Sequence, residues 1–149
     1  MNQRKSLKEL NLLDKFLFDE AMDDPENIKT MLDIILSQNT NLKHPPQTEK
    51  EQRTSTDNRQ IRLDVYAIDE DDVIYEVEAQ KKNTHNLPKR SRLYQGIIDS
   101  KLLPPGVVDF NLLNEVLIVL IMPFDLFGYG LYRYTFQMKC EEVPERKLD

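Results

Sequence analysis

Residues 61–80 read IRLDVYAIDEDDVIYEVEAQ, and within them two runs alternate between apolar and polar residues. The first run spans 61–68 and the second spans 73–80, with the acidic segment 69–72 between them. A period of two is typical of β-strands, and a short polar segment between two such runs is typical of a turn. This stretch therefore predicts a β-hairpin with one buried apolar face and one polar face.

Helices precede the hairpin, and a helix and two strands follow it. Apolar residues at spacings of three and four predict helices over 7–22 and 25–37, the second with Asp24 as its N-cap. A long polar loop, 39–60, in which a strand fragment is left open, leads to the hairpin. The other predicted elements are a helix over 89–103, a strand buried on both faces over 114–122 and a strand over 131–138.

The resulting order, α-α-β-β-α-β-β, predicts an α/β fold with a central mixed sheet flanked by helices. A chain of 149 residues has the size of one domain, so a single domain, 1–149, is expected. The one cysteine, Cys140, excludes a disulfide framework within the chain. The longest apolar run, 116–122, is far short of the roughly 20 residues that cross a bilayer. The chain also starts without the apolar stretch of a signal peptide, so we expect a cytoplasmic protein with no membrane partner.

The net charge is −6, from 26 acids and 20 bases, and the charges are unevenly placed. Residues 64–78 contain seven acids and no base, whereas residues 81–92 contain five bases and no acid. Net acidity argues against nucleic acid only when the charge is evenly spread. The basic block can instead contact a phosphodiester chain.

Asp64, Glu78 and Gln80 fall on the polar face of the predicted hairpin. Side chains alternate along a strand, so Glu78 and Gln80 share a face, and Asp64 faces the same way on the neighbouring strand. A divalent cation stabilises two carboxylates held a few ångströms apart, and Mg²⁺ prefers oxygen ligands. A solvated hairpin face shows the same alternation, which leaves a plain interaction domain as an alternative. Glu76 lies one pair further along and is interpreted as a spectator.

The spacing of these residues resembles the PD-(D/E)XK nuclease superfamily. The segments around them resemble more closely the PD-(D/E)XK nuclease family transposases, also described as recombination-promoting nucleases. The matching segments are LDKFLF at 13–18, RLDVYA at 62–67, IYEVEAQ at 74–80, LPKRSRLY at 87–94 and the stretch 134–142. The resemblance spans residues 7–142. It implies a restriction-endonuclease-like core and a DNA endonuclease that depends on Mg²⁺, with Mn²⁺ or Ca²⁺ as substitutes.

The resemblance also implies roles for individual residues. Asp64 matches the first metal-binding aspartate, and Glu78 matches the second acidic ligand. The carbonyl of Ala79 and the carboxylate of Asp14 on the first helix are the further metal ligands it implies. Gln80, the third catalytic residue, stands where the superfamily at large has a lysine. An amide can orient the attacking water by hydrogen bonding but carries no charge.

Alternatives stay open at several of these positions. Asp19 and Glu20, on the same predicted helix, compete with Asp14 as the acid near the metal. The residues expected to contact DNA are Lys81, Lys82, Arg90, Arg92 and Tyr94. For the two arginines and Tyr94, a structural contact with the acidic face is an equal alternative.

Two further expectations concern the whole protein. Family members continue beyond the end of the matching region, so a shortened copy is expected. A homodimer is open because nucleases that cut two strands often act in pairs. The neutral Gln80 and the net acidity favour a second interpretation, a nuclease-fold domain that has lost its activity and binds DNA or a protein.

Overall fold

A four-stranded mixed sheet forms the centre of the computed structural model, which describes residues 11–52 and 61–148. The strands are β1 (Gln47–Gln52), β2 (Ile61–Ile68), β3 (Ile74–Ala79) and β4 (Val116–Ile121), in the spatial order β1-β2-β3-β4. β2 is antiparallel to both β1 and β3, and β4 is parallel to β3. The predicted hairpin is thus confirmed as β2 and β3.

Three α-helices accompany the sheet within the described ranges: α1 (Lys15–Met22), α2 (Pro25–Leu36) and α3 (Leu87–Leu102). The carboxylate of Asp24 accepts a hydrogen bond of 3.0 Å from the backbone N–H of Glu26, as its predicted N-cap role requires. A short 3₁₀ turn, Phe110–Leu112, precedes β4. The predicted first helix began at residue 7, whereas α1 begins at Lys15: residues 11–14 are not helical, so the prediction is wrong there, and residues 7–10 lie outside the described ranges. None of the described helices is long and apolar enough to cross a membrane.

The first face of the sheet is covered by α1 and α2 and is almost wholly apolar. The buried residues there are Phe18, Met22, Ile28, Leu32, Val65, Ala67, Tyr75 and Val77. Tyr75 is the member of this cluster that carries a polar group, and its hydroxyl donates a 2.6 Å hydrogen bond to Asp69. Burial of this apolar surface is the main source of stability on this side.

The second face of the hairpin is also buried, so the expectation of a single buried face is wrong. Helix α3 packs on this side, and the cluster there contains Leu63, Tyr66, Ile74, Ile97 and Ile98. Glu76 and Glu78, which the alternation assigned to a polar face, are buried with them. The reason is tertiary, because alternation says which side chains share a face and not what covers that face.

Two strands differ from the predicted order. β1 lies within the predicted loop 39–60. Its sequence, QTEKEQ, is wholly polar, and backbone pairing with β2 makes it a strand although it has no apolar pattern. Segment 131–138 forms no regular strand. Its chain is instead held in a loop by Asp125, which accepts hydrogen bonds from the backbone of Gly128 and Gly130 and from the hydroxyl of Tyr134. The bond from Tyr134 and those from the backbone lower the pKa of Asp125 to about 2.

Candidate active site at the end of the hairpin

Asp64 and Glu78 lie where the pairing of β2 with β3 ends. The registered pairs run from Ile68↔Ile74 to Val65↔Val77, and Asp64 and Glu78 are the next residue of each strand. Both carboxylates are largely buried, with 15% and 12% of their side chains exposed. Burial raises the pKa of Glu78, and the negative charge on the neighbouring Asp64 raises it further. The two predicted metal ligands are therefore brought together.

Lys15, at the start of α1, provides a cation at Asp64. Its ammonium lies 2.9 Å from Oδ1 of Asp64 and 3.0 Å from Oδ2 of Asp19. Burial lowers the pKa of Lys15, but the hydrogen bonds to Asp64 and Asp19 outweigh this effect and raise it. Lys15 is therefore charged at neutral pH, and Asp19 acts here as its second partner.

Arg90, in the first turns of α3, provides the second cation. Its Nη2 donates to Oε1 of Glu78 at 2.6 Å and to Oε1 of Gln80 at 2.5 Å. The guanidinium carbon lies 5.8 Å from the centre of the Tyr94 ring. The attraction of Arg90 opposes the rise that burial causes in the pKa of Glu78. The salt-bridge alternative for Arg90 is thus the arrangement found in the structure.

Glu76 is the most deeply buried carboxylate of this site. It is fully buried, and neither of its oxygens has a hydrogen-bond partner in the described part of the chain. Burial raises the pKa of Glu76 well above its ordinary value, and the charges on Glu78 and Asp64 raise it further. Its neutral form is therefore strongly favoured, since an unpaired buried charge is very costly.

Both ends of the Gln80 amide are used in structural hydrogen bonds. Its oxygen accepts from Arg90, and its nitrogen donates to the carbonyl of Lys82 at 2.5 Å. Its backbone N–H donates to the carbonyl of Ile121 in β4. Gln80 therefore fixes the side chain of Arg90 and the path of the chain after β3.

Asp14 and Lys81 form an ion pair of 2.5 Å that ties the start of α1 to the segment after β3. The expected metal ligand Asp14 and the expected DNA contact Lys81 are therefore partners of each other. Ala79, whose carbonyl is another expected ligand, pairs with Ile121 in the register of β3 and β4. The start of α1 thus contributes two residues to this region, Asp14 and Lys15.

Lys82 and Arg92 are the exposed members of the expected DNA-binding set. Within residues 11–52 and 61–148, neither is in an ion pair. Tyr94 is half-buried beside them, and burial and the charge on Glu78 raise the pKa of its hydroxyl. Lys82 and Arg92 thus face solvent, whereas Lys81 and Arg90 of the same set are held in ion pairs.

The residues present fit a magnesium ion in their donor type. Oε2 of Glu78 is buried and has no hydrogen-bond partner among the described residues, and both ligand candidates offer carboxylate oxygens, as Mg²⁺ prefers. In the ranges 11–52 and 61–148, no three histidine, cysteine, aspartate or glutamate side chains are already arranged to hold a metal. Lys15 contacts Oδ1 of Asp64 and Arg90 contacts Oε1 of Glu78, so a metal ion has to compete with both cations.

The sequence pattern did not identify Lys15 as a residue of this site, and it led to the interpretation of Glu76 as a spectator. Lys15 lies 49 positions before Asp64, and nothing local in the sequence joins the two. A signal did exist for Glu76, since it shares a face with Ile74 and Glu78, and α3 offers Ile97 and Ile98 to cover that face. The described region is therefore a mixed α/β fold with a buried carboxylate cluster and two matched cations.

Comparisons of this chain with protein-family models, with curated proteins and with solved structures find no match.

Proposed function

We propose that the chain is a metal-dependent DNA endonuclease with a restriction-endonuclease-like core, similar to the transposase-associated PD-(D/E)XK nucleases. The observation that carries the proposal is the meeting of Asp64 and Glu78 at the end of the hairpin, with one oxygen of Glu78 buried and without a hydrogen-bond partner among residues 11–52 and 61–148. A stable protein gains nothing from crowding buried carboxylates, because each costs desolvation energy. A site that takes a divalent cation explains the arrangement. The cytoplasm is its proposed location.

Asp64 and Glu78 would hold the magnesium ion. When bound, magnesium stabilises the charge that develops on the phosphate and lowers the pKa of bound water. Gln80 keeps Arg90 beside Glu78, and Arg90 is then close enough to the site to attract a phosphate oxygen. Lys82 and Arg92 face solvent and would contact the DNA backbone, without reading its sequence.

The proposal is tested by plasmid nicking in the presence of Mg²⁺, with the natural chain, Asp64→Asn and Asp71→Asn. Asp71 is an exposed acid in the hairpin turn and serves as the matched control. We expect nicking by the natural chain and by Asp71→Asn, and a loss of about 100-fold or more in Asp64→Asn. Equal nicking by all three proteins would remove Asp64 from the active site.

A second candidate function is a nuclease-fold module that binds DNA or a protein without cutting. The observation that favours it is the occupation of both carboxylates by Lys15 and Arg90. Titration with Mn²⁺, followed by electron paramagnetic resonance, separates the two functions. The endonuclease binds Mn²⁺ and loses it in Asp64→Asn, whereas a module binds DNA, binds no Mn²⁺ and cuts nothing.

A further inference from the structure

The two edges of the sheet differ in a way that the proposed nuclease activity does not explain. One edge is β1, whose sequence QTEKEQ carries three charges in its middle, Glu49, Lys50 and Glu51. The other edge is β4, whose sequence VLIVLI carries none. Charged residues on an edge strand prevent pairing with other strands, so only the β4 edge lacks this protection within the described chain.

The hydrogen-bonding groups at the open side of β4 can be assigned from its contacts with β3. The carbonyls of Glu115 and Ile121 accept hydrogen bonds from the backbone N–H groups of Ile74 and Gln80, each at 2.8 Å. Backbone groups alternate in direction along a strand, so the odd-numbered residues face β3. Val116, Ile118 and Leu120 therefore direct their N–H and C=O groups away from the sheet.

We propose that the β4 edge pairs with β4 of a second copy of this chain, antiparallel, about a two-fold axis at Ile118. In an antiparallel pair, residues that exchange hydrogen bonds lie directly opposite each other. An axis at Ile118 places Ile118 opposite itself and Val116 opposite Leu120 of the second copy, so all three outward residues exchange bonds. An axis one residue later, at Val119, would leave Val116 opposite Met122, beyond the strand.

A second copy also accounts for the charged edge. Pairing through β4 would produce an eight-stranded sheet whose two outer edges are both β1. Since β1 carries charges, the sheet would stop growing at two copies, as a closed two-fold assembly requires. A different partner strand at β4 would give no reason for this distribution of charge.

The first test measures mass in solution by light scattering on the full chain. We expect twice the chain mass of 17.6 kDa for the natural protein. Leu120→Pro removes an outward N–H group, and Leu120 belongs to neither buried cluster, so we expect its dissociation constant to rise about tenfold or more. Leu120→Ala keeps the N–H group and should remain a dimer. A natural chain that is monomeric at all concentrations overturns the proposal.

The second test uses cysteine cross-linking and does not depend on the folding of the proline variant. In a Cys140→Ser background, Ile118→Cys should form a disulfide between copies, because residues opposite each other have Cα atoms about 5.5 Å apart. Val116→Cys is the matched control, since the two copies of residue 116 would be four residues apart along the paired strands. Cross-linking of both variants to the same extent, or of neither, overturns the register and the interface.

Discussion

Each face of the sheet carries a buried cluster, but the two clusters are built from different chemistry. In the cluster under α1 and α2 the buried side chains are apolar apart from the hydroxyl of Tyr75, which donates a hydrogen bond to Asp69. Under α3 the buried side chains include Glu76 and Glu78, with three carboxylate oxygens that have no hydrogen-bond partner in the described chain. The first face therefore contributes stability, and the second sacrifices some of it.

The contrast between apolar and carboxylate burial indicates which face of the sheet has a function beyond stability. Apolar burial stabilises in proportion to area, whichever residues supply it. Buried carboxylates destabilise unless they are paired, so their presence calls for another explanation. The ion pairs from Lys15 and Arg90 compensate Asp64 and Glu78, while no cation of the described residues lies within hydrogen-bonding distance of Glu76. Substitutions on each face measure separately what that face contributes to stability.

The largest effect is expected on the apolar face. Leu32→Ala removes a fully buried side chain of α2 and should lower the free energy of unfolding by about 3 kcal/mol in urea denaturation. Ile34→Ala, on the same helix, is the control, because Ile34 is 73% exposed and should change stability by less than about 0.5 kcal/mol. Similar losses in the two variants would contradict the described packing of α2.

The next effect tests the ion pair under α3. Arg90→Met leaves the carboxylate of Glu78 largely buried without its cation, so we expect a loss of about 2 kcal/mol. Adding Glu78→Gln should recover much of this loss at neutral pH, because the uncompensated charge is removed. Arg92→Met, at an exposed site two residues along, should be neutral. No recovery in the double variant would show that Arg90 stabilises by packing alone.

The third effect has the opposite sign and depends on pH. Burial raises the pKa of Glu76 in the folded protein, so between its ordinary pKa of 4.5 and the raised value unfolding releases a proton. Stability contributed by this group is therefore present at low pH and is lost as the pH rises through that window, by about 1.4 kcal/mol per pH unit. Glu76→Gln should remove this loss and be more stable than the natural chain at pH 8.

Urea unfolding at pH 5 and pH 8 measures this effect. Glu70→Gln is the control, because Glu70 lies exposed in the hairpin turn and should leave the pH dependence unchanged. If the free energy of unfolding changes equally with pH in the natural chain and in Glu76→Gln, Glu76 ionises freely in the folded protein and the expectation is wrong.

The smallest effect concerns a helix end. Asp24→Ala removes the acceptor for the N–H of Glu26 and should cost about 1 kcal/mol, read from thermal unfolding. Asp24→Asn keeps an acceptor oxygen and should cost clearly less. Because this cap serves α2 on the apolar face, Mn²⁺ binding at the other face should be the same in all three proteins.

Much of the secondary structure could be predicted because its signals are local. The hairpin strands, α2 and α3 follow from periodicity and β4 from its continuous apolar run, and each observed boundary lies within two residues of the predicted one. The expectation that β4 is buried on both faces is wrong, because β4 is an edge strand and its residues are only half-buried. β1 could not be predicted, since a polar strand is stabilised by its pairing with β2. The predicted strand over 131–138 is wrong, because hydrogen bonds to Asp125 fold that segment into a loop.

The sequence by itself determined that Asp64 and Glu78 share a face at the end of a hairpin, because side-chain alternation is a property of the backbone. That α3 covers this face is seen only in the folded chain. The same holds for the contact of Lys15 with Asp64, 49 positions away, and for the pairing of Arg90 with Glu78. The physical reason is that burial and ion pairing depend on which elements pack together. Those contacts join residues that no local pattern connects.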